Sequence, residues 1–329
     1  MAARLRVGLL AYGLERPISG VSRVALELGR ALLERPDCQA IFLTPYRRGP
    51  FAGEPGVRRV YLPGCRLLPG LMLLGGPLIA LAARALDLDV VHDPIGVSPF
   101  TLGRWAGHFG RLVTIHDAIA FEYPQGYPWL NNLLHRVYVP LTLGNVDAVA
   151  TDSRHAQRAL SRFLGLAPER VPVVPLGATS RPGPIAAAEV AAVRARYGLP
   201  GPYVLYVGAF KRHKNVLGLL AAFAAARARL SGFKLALVGP SQWRFPELEA
   251  EIDRLGLRDD VAVLGYVPDE DLLPLYAGAA VYALPSLHEG FGIPILEAMA
   301  CGTPVVSSNA SSLPEVAGDA ALLVDPHDT

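Results

Sequence analysis

Two glutamates, Glu289 and Glu297, lie eight positions apart on either side of a short glycine turn. They belong to HEGFGIPILEAMACGTP, residues 288–304. Pro294 suits the first turn of a helix and a glycine suits the position just after its end, so the pattern predicts a helix over 294–301. The free N–H groups and the dipole of such a helix bind anions, and a glycine turn lets a phosphate come close.

This arrangement predicts a nucleotide site. Glu297 lies about one turn into the helix, where its carboxylate can accept two hydrogen bonds from a vicinal diol such as a ribose. Glu289 would contact the group attached to the phosphate, and the turn Gly290-Phe291-Gly292 would approach the phosphate itself. The alternative is that Glu297 is a solvated helix residue and Glu289 an ordinary loop acid.

A second stretch, YVGAFKRHKNVLGLLAAF over 206–223, also joins a strand to a helix through a polar loop. The chain has three lysines against 28 arginines, and two of the lysines are in this loop. That bias predicts a need for a compact ammonium group, with Lys214 beside a phosphate. Arg212 would add a bidentate phosphate contact. The alternative is a solvated loop.

The first half of the chain carries weaker signals. Its first strand runs into LLAYGLERPISGVSRVALELGRAL, which contains neither GxGxxG nor GxxxxGK[ST], but Gly20 opens a helix and predicts a further anion or sugar contact. Two strands end in His-Asp, and His116 in TIHDA is expected to hydrogen-bond a substrate hydroxyl. The alternative is a structural histidine whose bonds are satisfied within the fold.

Composition restricts the class of protein. Half of the 329 residues are hydrophobic, enough for two domains with large cores. The three cysteines are scattered with no CxxC, which supports neither a disulfide framework nor a zinc site and favours a reducing cytoplasm. Residues 1–180 hold 19 arginines against 13 acids, a net charge of +6, and this favours an anionic lipid surface. No dense basic run or motif predicts nucleic-acid binding.

The uncharged stretch LLPGLMLLGGPLIALAA, residues 67–83, raises the question of a membrane. It is shorter than the roughly 20 residues of a spanning helix and is interrupted by proline and glycine. Two interpretations stay open, a helix buried in the core and a helix lying on a membrane surface.

The order of elements predicts the fold. Apolar strands alternate with amphipathic helices from end to end, with a Pro/Gly-containing linker after residue 178. Strands that are apolar throughout predict parallel sheets covered on both faces. We therefore expect two doubly wound α/β domains, over 1–180 and 181–329, with ligands at the carboxyl ends of the strands and in a cleft between the domains. The run 171–177 is among the predicted strands.

On these motifs the sequence resembles the retaining glycosyltransferases of family 4. The resemblance is carried by GVSRVALELGRAL, TIHDAIAFEYPQGYP, YVGAF…HKN, LGYVPDEDLLPLYAGA and, most specifically, EGFGIPILEAMACGTPVV. It implies the GT-B fold of two facing Rossmann-like domains. It implies metal-independent transfer of a sugar from a nucleoside diphosphate sugar to a glycan or lipid-linked acceptor in polysaccharide biosynthesis. No cofactor is expected. Bacterial mannosyl- and rhamnosyltransferases are the most similar members, so GDP-mannose is the first candidate donor, with UDP- and dTDP-sugars open.

The resemblance also implies roles for single residues. Glu297 would hold the ribose, while Glu289 and the amides of Phe291 and Gly292 would hold the donor sugar and its phosphate. Lys214 would neutralise the diphosphate leaving group. The resemblance further implies that the backbone around Val267 borders the base, that His116 contacts the donor sugar and that Gly20 lines the diphosphate.

Two departures from the family pattern weaken the implied activity. Ala209 and His213 stand where members often carry basic residues, so either Arg212 substitutes or phosphate neutralisation is weaker. The chain also ends at VDPHDT, where members continue, so the second domain is expected to be truncated. A non-catalytic sugar-nucleotide binding protein and a sugar-nucleotide epimerase are the alternatives. The expected location is the cytoplasm, with peripheral contact at the inner face of the cell membrane.

Overall fold

The computed structural model describes residues 4–14, 20–49, 51–54, 56–101, 107–126, 129–178, 184–239 and 246–328. The chain divides into two compact units, Met1–Pro175 and Leu176–Thr329, each with its own core. The division lies five residues before the predicted boundary at residue 180.

Unit 1 is built on a parallel sheet of six strands in the order β3-β2-β1-β4-β5-β6. The inner strands are largely apolar, as in the sequence LRVGLL of β1, because helices cover both faces of the sheet. The strands are β1 (Leu5–Leu10), β2 (Cys38–Thr44), β3 (Arg58–Tyr61), β4 (Val90–Asp93), β5 (Gly110–Thr114) and β6 (Ala148–Ala150).

Six helices accompany this sheet: α1 (Gly20–Glu34), α2 (Leu68–Leu86), α3 (Ile119–Glu122), α4 (Trp129–Leu133), α5 (Val139–Leu143) and α6 (Arg154–Leu164). A π-helical turn, Leu134–Tyr138, joins α4 and α5 into one helix over 129–143. The predicted strand over 171–177 is wrong. Only a single bridge, Thr151 with Val173, forms there, because the prolines at 172 and 175 lack the N–H that a continuing ladder needs.

Unit 2 repeats the same plan, with strand order β12-β11-β10-β7-β8-β9. Its strands are β7 (Tyr203–Val207), β8 (Lys234–Val238), β9 (Val261–Gly265), β10 (Val281–Leu284), β11 (Val305–Ser308) and β12 (Leu322–Val324). Its helices are α7 (Ala187–Arg196), α8 (Val216–Ala226), α9 (Pro246–Arg254), α10 (Asp269–Gly278), α11 (Ile293–Ala300) and α12 (Leu313–Ala317). In both units the strand order reverses direction beside the first strand, which is the place where doubly wound sheets bind ligands.

Helix α2 contains the uncharged stretch 67–83 and combines features of both interpretations offered for it. One side is buried against the core, where Gly75 and Gly76 let the helix approach Pro99 and Thr101 closely. The opposite side exposes leucines. In the described part of the chain this is the one helix long and apolar enough to cross a membrane, and 39% of its apolar window is buried inside the protein.

Candidate nucleotide-sugar site

Two loops of unit 2 meet where its strand order reverses. Strands β7 and β10 are hydrogen-bonded neighbours, and the loops after them carry Lys214 and Glu289. The backbone N–H of Leu287 donates to the carbonyl of His213 at 2.7 Å, which ties the two loops together. Residues 75 positions apart in the chain thereby become direct neighbours.

Lys214 and Glu289 form a closely held ion pair. The Lys214 Nζ donates to both carboxylate oxygens of Glu289 at 2.6 Å, and the Ser286 hydroxyl donates to Oε1 at 2.8 Å. Burial raises the pKa of Glu289, but the charge of Lys214 and the hydrogen bonds from Lys214 and Ser286 outweigh it, so the pKa lies below its usual value. Glu289 is therefore ionised at neutral pH, and Lys214 keeps a third N–H direction for another acceptor.

The backbone of the glycine turn is held by two serines that follow β11. The N–H of Glu289 donates to the Ser311 hydroxyl at 2.9 Å. The Ser312 hydroxyl bonds the carbonyls of Glu289 and Phe291, at 3.0 and 2.9 Å. These hydroxyls fix the direction of the peptide groups between Glu289 and Gly292. The sequence analysis missed both serines, although small hydroxyl residues after a strand of this type of sheet are a usable signal.

Gly292 completes the turn immediately before α11. Its φ is +113°, a backbone conformation that favours glycine, and a Cβ there would lie 2.7 Å from Leu313 Cδ2 and force that side chain to shift. The helix begins at Ile293 with Pro294 in its first turn, within one residue of the prediction. The helix begins four residues after Glu289, the partner of Lys214. The turn after β10 thus connects the ion pair to a helix N-terminus, an arrangement that suits a phosphate.

Glu297 is buried, with 2% of its surface exposed, so it is not a solvated helix residue. The hydroxyl of Tyr276, at the end of α10, donates to its Oε2 at 3.1 Å. Burial raises the pKa of Tyr276 well above its usual value, and the nearby Tyr282 and Glu297 raise it further. The hydroxyl therefore stays protonated and remains a donor. Tyr276 therefore orients one carboxylate oxygen. No motif in the sequence singled out this tyrosine.

We expect Tyr276→Phe to raise the Kd for a nucleoside diphosphate about fivefold, because the hydrogen bond that orients Glu297 is lost. The same variant should bind the 2′,3′-dideoxy nucleotide as well as the wild type does. Calorimetric titration with both ligands measures this. An equal loss for both nucleotides would contradict a role for Tyr276 in diol recognition.

The remaining predicted residues of unit 2 lie in the loops that follow β7, β9 and β10. His213 is buried, and its pKa falls to about 4 through burial and the charge of Lys214, so it supplies no charge at neutral pH. Arg212 is largely exposed and its guanidinium bonds Glu247 at the start of α9, at 3.3 Å. Its predicted phosphate contact would require that side chain to turn away from Glu247. Val267 is buried in the core just before α10, and Gly290 stands inside the turn.

In unit 1, the structure gives His116 protein partners for both ring nitrogens. Nε2 donates to the carbonyl of Pro94 at 2.8 Å, and Nδ1 lies 2.5 Å from the carboxylate of Asp152. The sequence analysis expects this ring to bond a substrate hydroxyl. In the observed arrangement both nitrogens have protein partners, as the alternative of a structural histidine expects, and the contact with a substrate hydroxyl stays a prediction. Gly20 is the first residue of α1, as predicted.

Asp152 controls the protonation of His116. Burial lowers the pKa of this histidine, but the hydrogen bond and charge of Asp152 outweigh burial, so the net pKa is raised. Because the folded pKa is raised, the pair stabilises the protein fully below the ordinary histidine pKa of 6.5. That stabilisation is lost as the pH rises through the folded pKa.

In Asp152→Asn we expect the His116 pKa to fall below its ordinary value, because burial remains while the carboxylate is gone. An NMR titration of the histidine resonances measures this directly. The variant should lose more stability near pH 6 than near pH 9, relative to the wild type. A His116 pKa that stays raised would show that other carboxylates, such as Asp117 or Asp93, are sufficient to raise it.

Two six-stranded parallel sheets of this order form two Rossmann-like units, and one of them carries an ion pair and a glycine turn before a helix. The family model described as "Glycosyl transferases group 1" matches residues 193–329, and that described as "Glycosyltransferase Family 4" matches residues 18–180. A D-inositol 3-phosphate glycosyltransferase of Xylanimonas cellulosilytica is 34% identical, over 94% of this chain and 80% of its own length. The chain belongs to this family of glycosyltransferases.

Other relatives are mannosyltransferases. The O-antigen chain mannosyltransferase B of Escherichia coli is 36% identical over 73% of this chain and 62% of its own length. An MMP alpha-(1->4)-mannosyltransferase of Mycolicibacterium hassiacum is 32% identical over 75% of this chain and 61% of its own length. The chain thus spans somewhat over 60% of each of these two relatives.

Solved structures confirm the fold. HepE of Anabaena, determined with UDP-glucose, superposes with a TM-score of 0.79 at 20% identity and covers 98% of this chain and 86% of its own. Sucrose-phosphate synthase of Thermosynechococcus elongatus superposes with a TM-score of 0.77 at 25% identity, over 99% of this chain and 87% of its own. The predicted GT-B class is confirmed.

Proposed function

We propose that this chain transfers a hexose, with mannose the first candidate, from a nucleoside diphosphate sugar to a glycan or lipid-linked acceptor. The observation that carries the proposal is the Lys214–Glu289 pair, held at the turn before α11 with Glu297 buried in that helix. The two mannosyltransferase relatives support mannose as the sugar. The UDP-glucose complex of HepE supports uridine nucleotides as alternative donors. The cytoplasm is the proposed location.

The diphosphate is the group that the site suits best. Lys214 uses two N–H directions on Glu289, so the third can donate to a diphosphate oxygen while the pair stays intact. The amides at Phe291 and Gly292 and the start of α11 add oriented donors for a second oxygen. Glu297 accepts hydrogen bonds from the two ribose hydroxyls, with one of its oxygens fixed by Tyr276.

The proposed reaction retains the anomeric configuration and needs no metal ion. As the bond between the anomeric carbon and the diphosphate oxygen breaks, negative charge develops on the diphosphate, and Lys214 and the oriented amides stabilise it. The leaving phosphate oxygen takes the proton of the acceptor hydroxyl, which attacks on the same face of the sugar. Glu289, kept ionised, accepts hydrogen bonds from the donor sugar's hydroxyls.

One observation favours a second candidate, a protein that binds the sugar nucleotide without transferring the sugar. His213 is buried and neutral where relatives are expected to carry a second basic residue. Lys214 is then the main positive charge that stabilises the leaving group. Such a protein would bind the donor with the same residues but would neither transfer nor hydrolyse it.

The test is calorimetric titration with GDP, UDP and dTDP, followed by assay of the corresponding sugar nucleotides with and without EDTA. We expect saturable binding of one nucleotide and turnover that EDTA leaves unchanged. Proton NMR of the newly formed linkage reports the anomeric configuration. Binding without turnover or hydrolysis would favour the second candidate, and the absence of binding by all three nucleotides would contradict the site.

A further inference from the structure

Unit 1 presents two exposed apolar stripes that its fold leaves uncovered. In the described part of the chain fourteen large hydrophobic side chains are exposed, and eight of them lie in two helical segments. On α2 and the residue before it these are Leu67, Leu73, Leu74 and Leu81; on the helix over 129–143 they are Trp129, Leu133, Val137 and Leu141. The second set repeats at every fourth residue, so it forms one line along its helix. The sequence analysis did not recognise this second stripe.

The two stripes lie side by side. The Tyr138 hydroxyl donates to the carbonyl of Met72 at 3.2 Å, which places the helix over 129–143 against α2. Leu73 follows Met72 directly, and Leu141 is one turn from Tyr138. Both helices also pack on the same segment, since Gly76 contacts Thr101 and the Asn145 amide donates to the carbonyl of Phe100. The exposed side chains therefore form one surface, named here the two-helix surface.

The two-helix surface cannot serve as a membrane-spanning element without loss of the core. The inner side of α2 contributes Leu71, Ile79 and Ala83 to the buried cluster of unit 1. Removing the helix would expose that cluster, so α2 can enter a membrane only with its outer side. A helix of about 28 Å that lies in the plane of the interface fits this geometry.

The charges around the two-helix surface favour an anionic partner. Residues 62–86 and 129–144 contain no Asp or Glu. Exposed arginines, Arg66 and Arg84, stand at either end of the apolar side of α2. In a symmetric dimer the same arginines would meet no acid from these segments, and the next acid after α2, Asp87, already bonds Arg6 at 3.2 Å. An anionic lipid surface supplies negative charge beside a hydrocarbon layer, and Trp129 has the amphipathic ring favoured at that boundary.

We propose that the two-helix surface binds the surface of a bilayer that contains anionic phospholipid, with both helices parallel to the membrane. The leucines and Trp129 enter the boundary between headgroups and acyl chains, and Arg66 and Arg84 bond lipid phosphates. This goes beyond sugar transfer, and its test uses no nucleotide.

The test is flotation of the full chain with vesicles of phosphatidylcholine, with and without about 30% phosphatidylglycerol. We expect the wild type to float with the anionic vesicles, and less so when NaCl rises from about 0.1 M to about 0.5 M. Leu73→Glu combined with Leu141→Glu should lower the vesicle partition coefficient roughly tenfold or more, because one apolar side chain on each helix is replaced by a charge. Val174→Glu, at an exposed apolar position of unit 1 outside both helices, is the matched control and should float as the wild type does.

A second variant tests the two arginines separately from the apolar side chains. Arg66→Gln with Arg84→Gln leaves the apolar side intact and should weaken flotation and its dependence on salt. Circular dichroism and thermal unfolding show whether each variant is folded. The proposal is overturned if the wild type does not float, or if Leu73→Glu/Leu141→Glu floats equally well. It is also overturned if the wild type sediments as a dimer, that variant as a monomer, and neither binds vesicles, since the surface would then join two copies of the chain.

Discussion

Lys214→Met is expected to lower kcat about 10²–10³-fold, because the charge that develops on the leaving diphosphate loses the ammonium group that is held beside Glu289. The neighbouring His213 is neutral and cannot replace it. The Kd for the nucleoside diphosphate should rise less than kcat falls, since the oriented amides at the start of α11 and Glu297 still hold the ligand. Steady-state transfer assays and calorimetry on the same preparation measure the two effects.

The ion pair makes controls for this variant necessary. Removal of Lys214 leaves the Glu289 carboxylate buried without its main partner, which costs several kcal/mol of stability. In Lys214→Met/Glu289→Gln the carboxylate is neutral too, so stability should recover while transfer stays low. Lys234→Met, at the opposite end of the sheet where β8 begins, should keep the wild-type kcat. A recovery of transfer in the double variant would show that the lysine acts on folding alone.

Glu297→Gln is expected to raise the Kd for the nucleoside diphosphate about tenfold to a hundredfold, because two hydrogen bonds from ribose hydroxyls lose their charged acceptor. The volume of the side chain is conserved, so the buried environment next to Tyr276 should remain packed. Calorimetric titration with the nucleotide that binds the wild type gives the ratio of dissociation constants.

Nucleotide analogues distinguish a ribose contact from a general loss of structure. The 2′,3′-dideoxy nucleotide should bind the wild type and Glu297→Gln with similar affinity, since it lacks the hydroxyls that the carboxylate would accept. Glu315→Gln, an acid of α12 in the same unit, should leave both affinities unchanged. If Glu297→Gln weakened the dideoxy nucleotide as strongly as the ribonucleotide, the assignment of Glu297 to the ribose would be wrong.

Much of the fold follows from local patterns in the sequence. Mostly apolar, β-branched runs such as LRVGLL and YVLYV predict strands covered on both faces, and these two runs form inner strands of the two sheets. The helix after the glycine turn was predicted over 294–301 and lies over Ile293–Ala300. The run 171–177 failed because an apolar, β-branched segment still needs N–H groups for a ladder, and its prolines remove them.

The site was predictable where its chemistry lies within one segment. Glu289, Gly292 and Glu297 share a single strand–turn–helix unit, so their spacing alone indicates an anion site and a diol acceptor. Contacts between distant segments were not predictable. Tyr276 on Glu297, together with Ser311 and Ser312 on the turn, depends on strands and helices being brought together.

The sequence by itself determined the fold class, because strand periodicity and helix capping act within a few residues. Its motifs indicated the family and the residues of the proposed nucleotide site by resemblance. Only the tertiary structure decided which charges neutralise one another. It paired Lys214 with Glu289 and His116 with Asp152, since the carboxyl ends of neighbouring parallel strands place loops from distant parts of the chain together. It also decided which side of α2 is buried, because that depends on what packs against the helix.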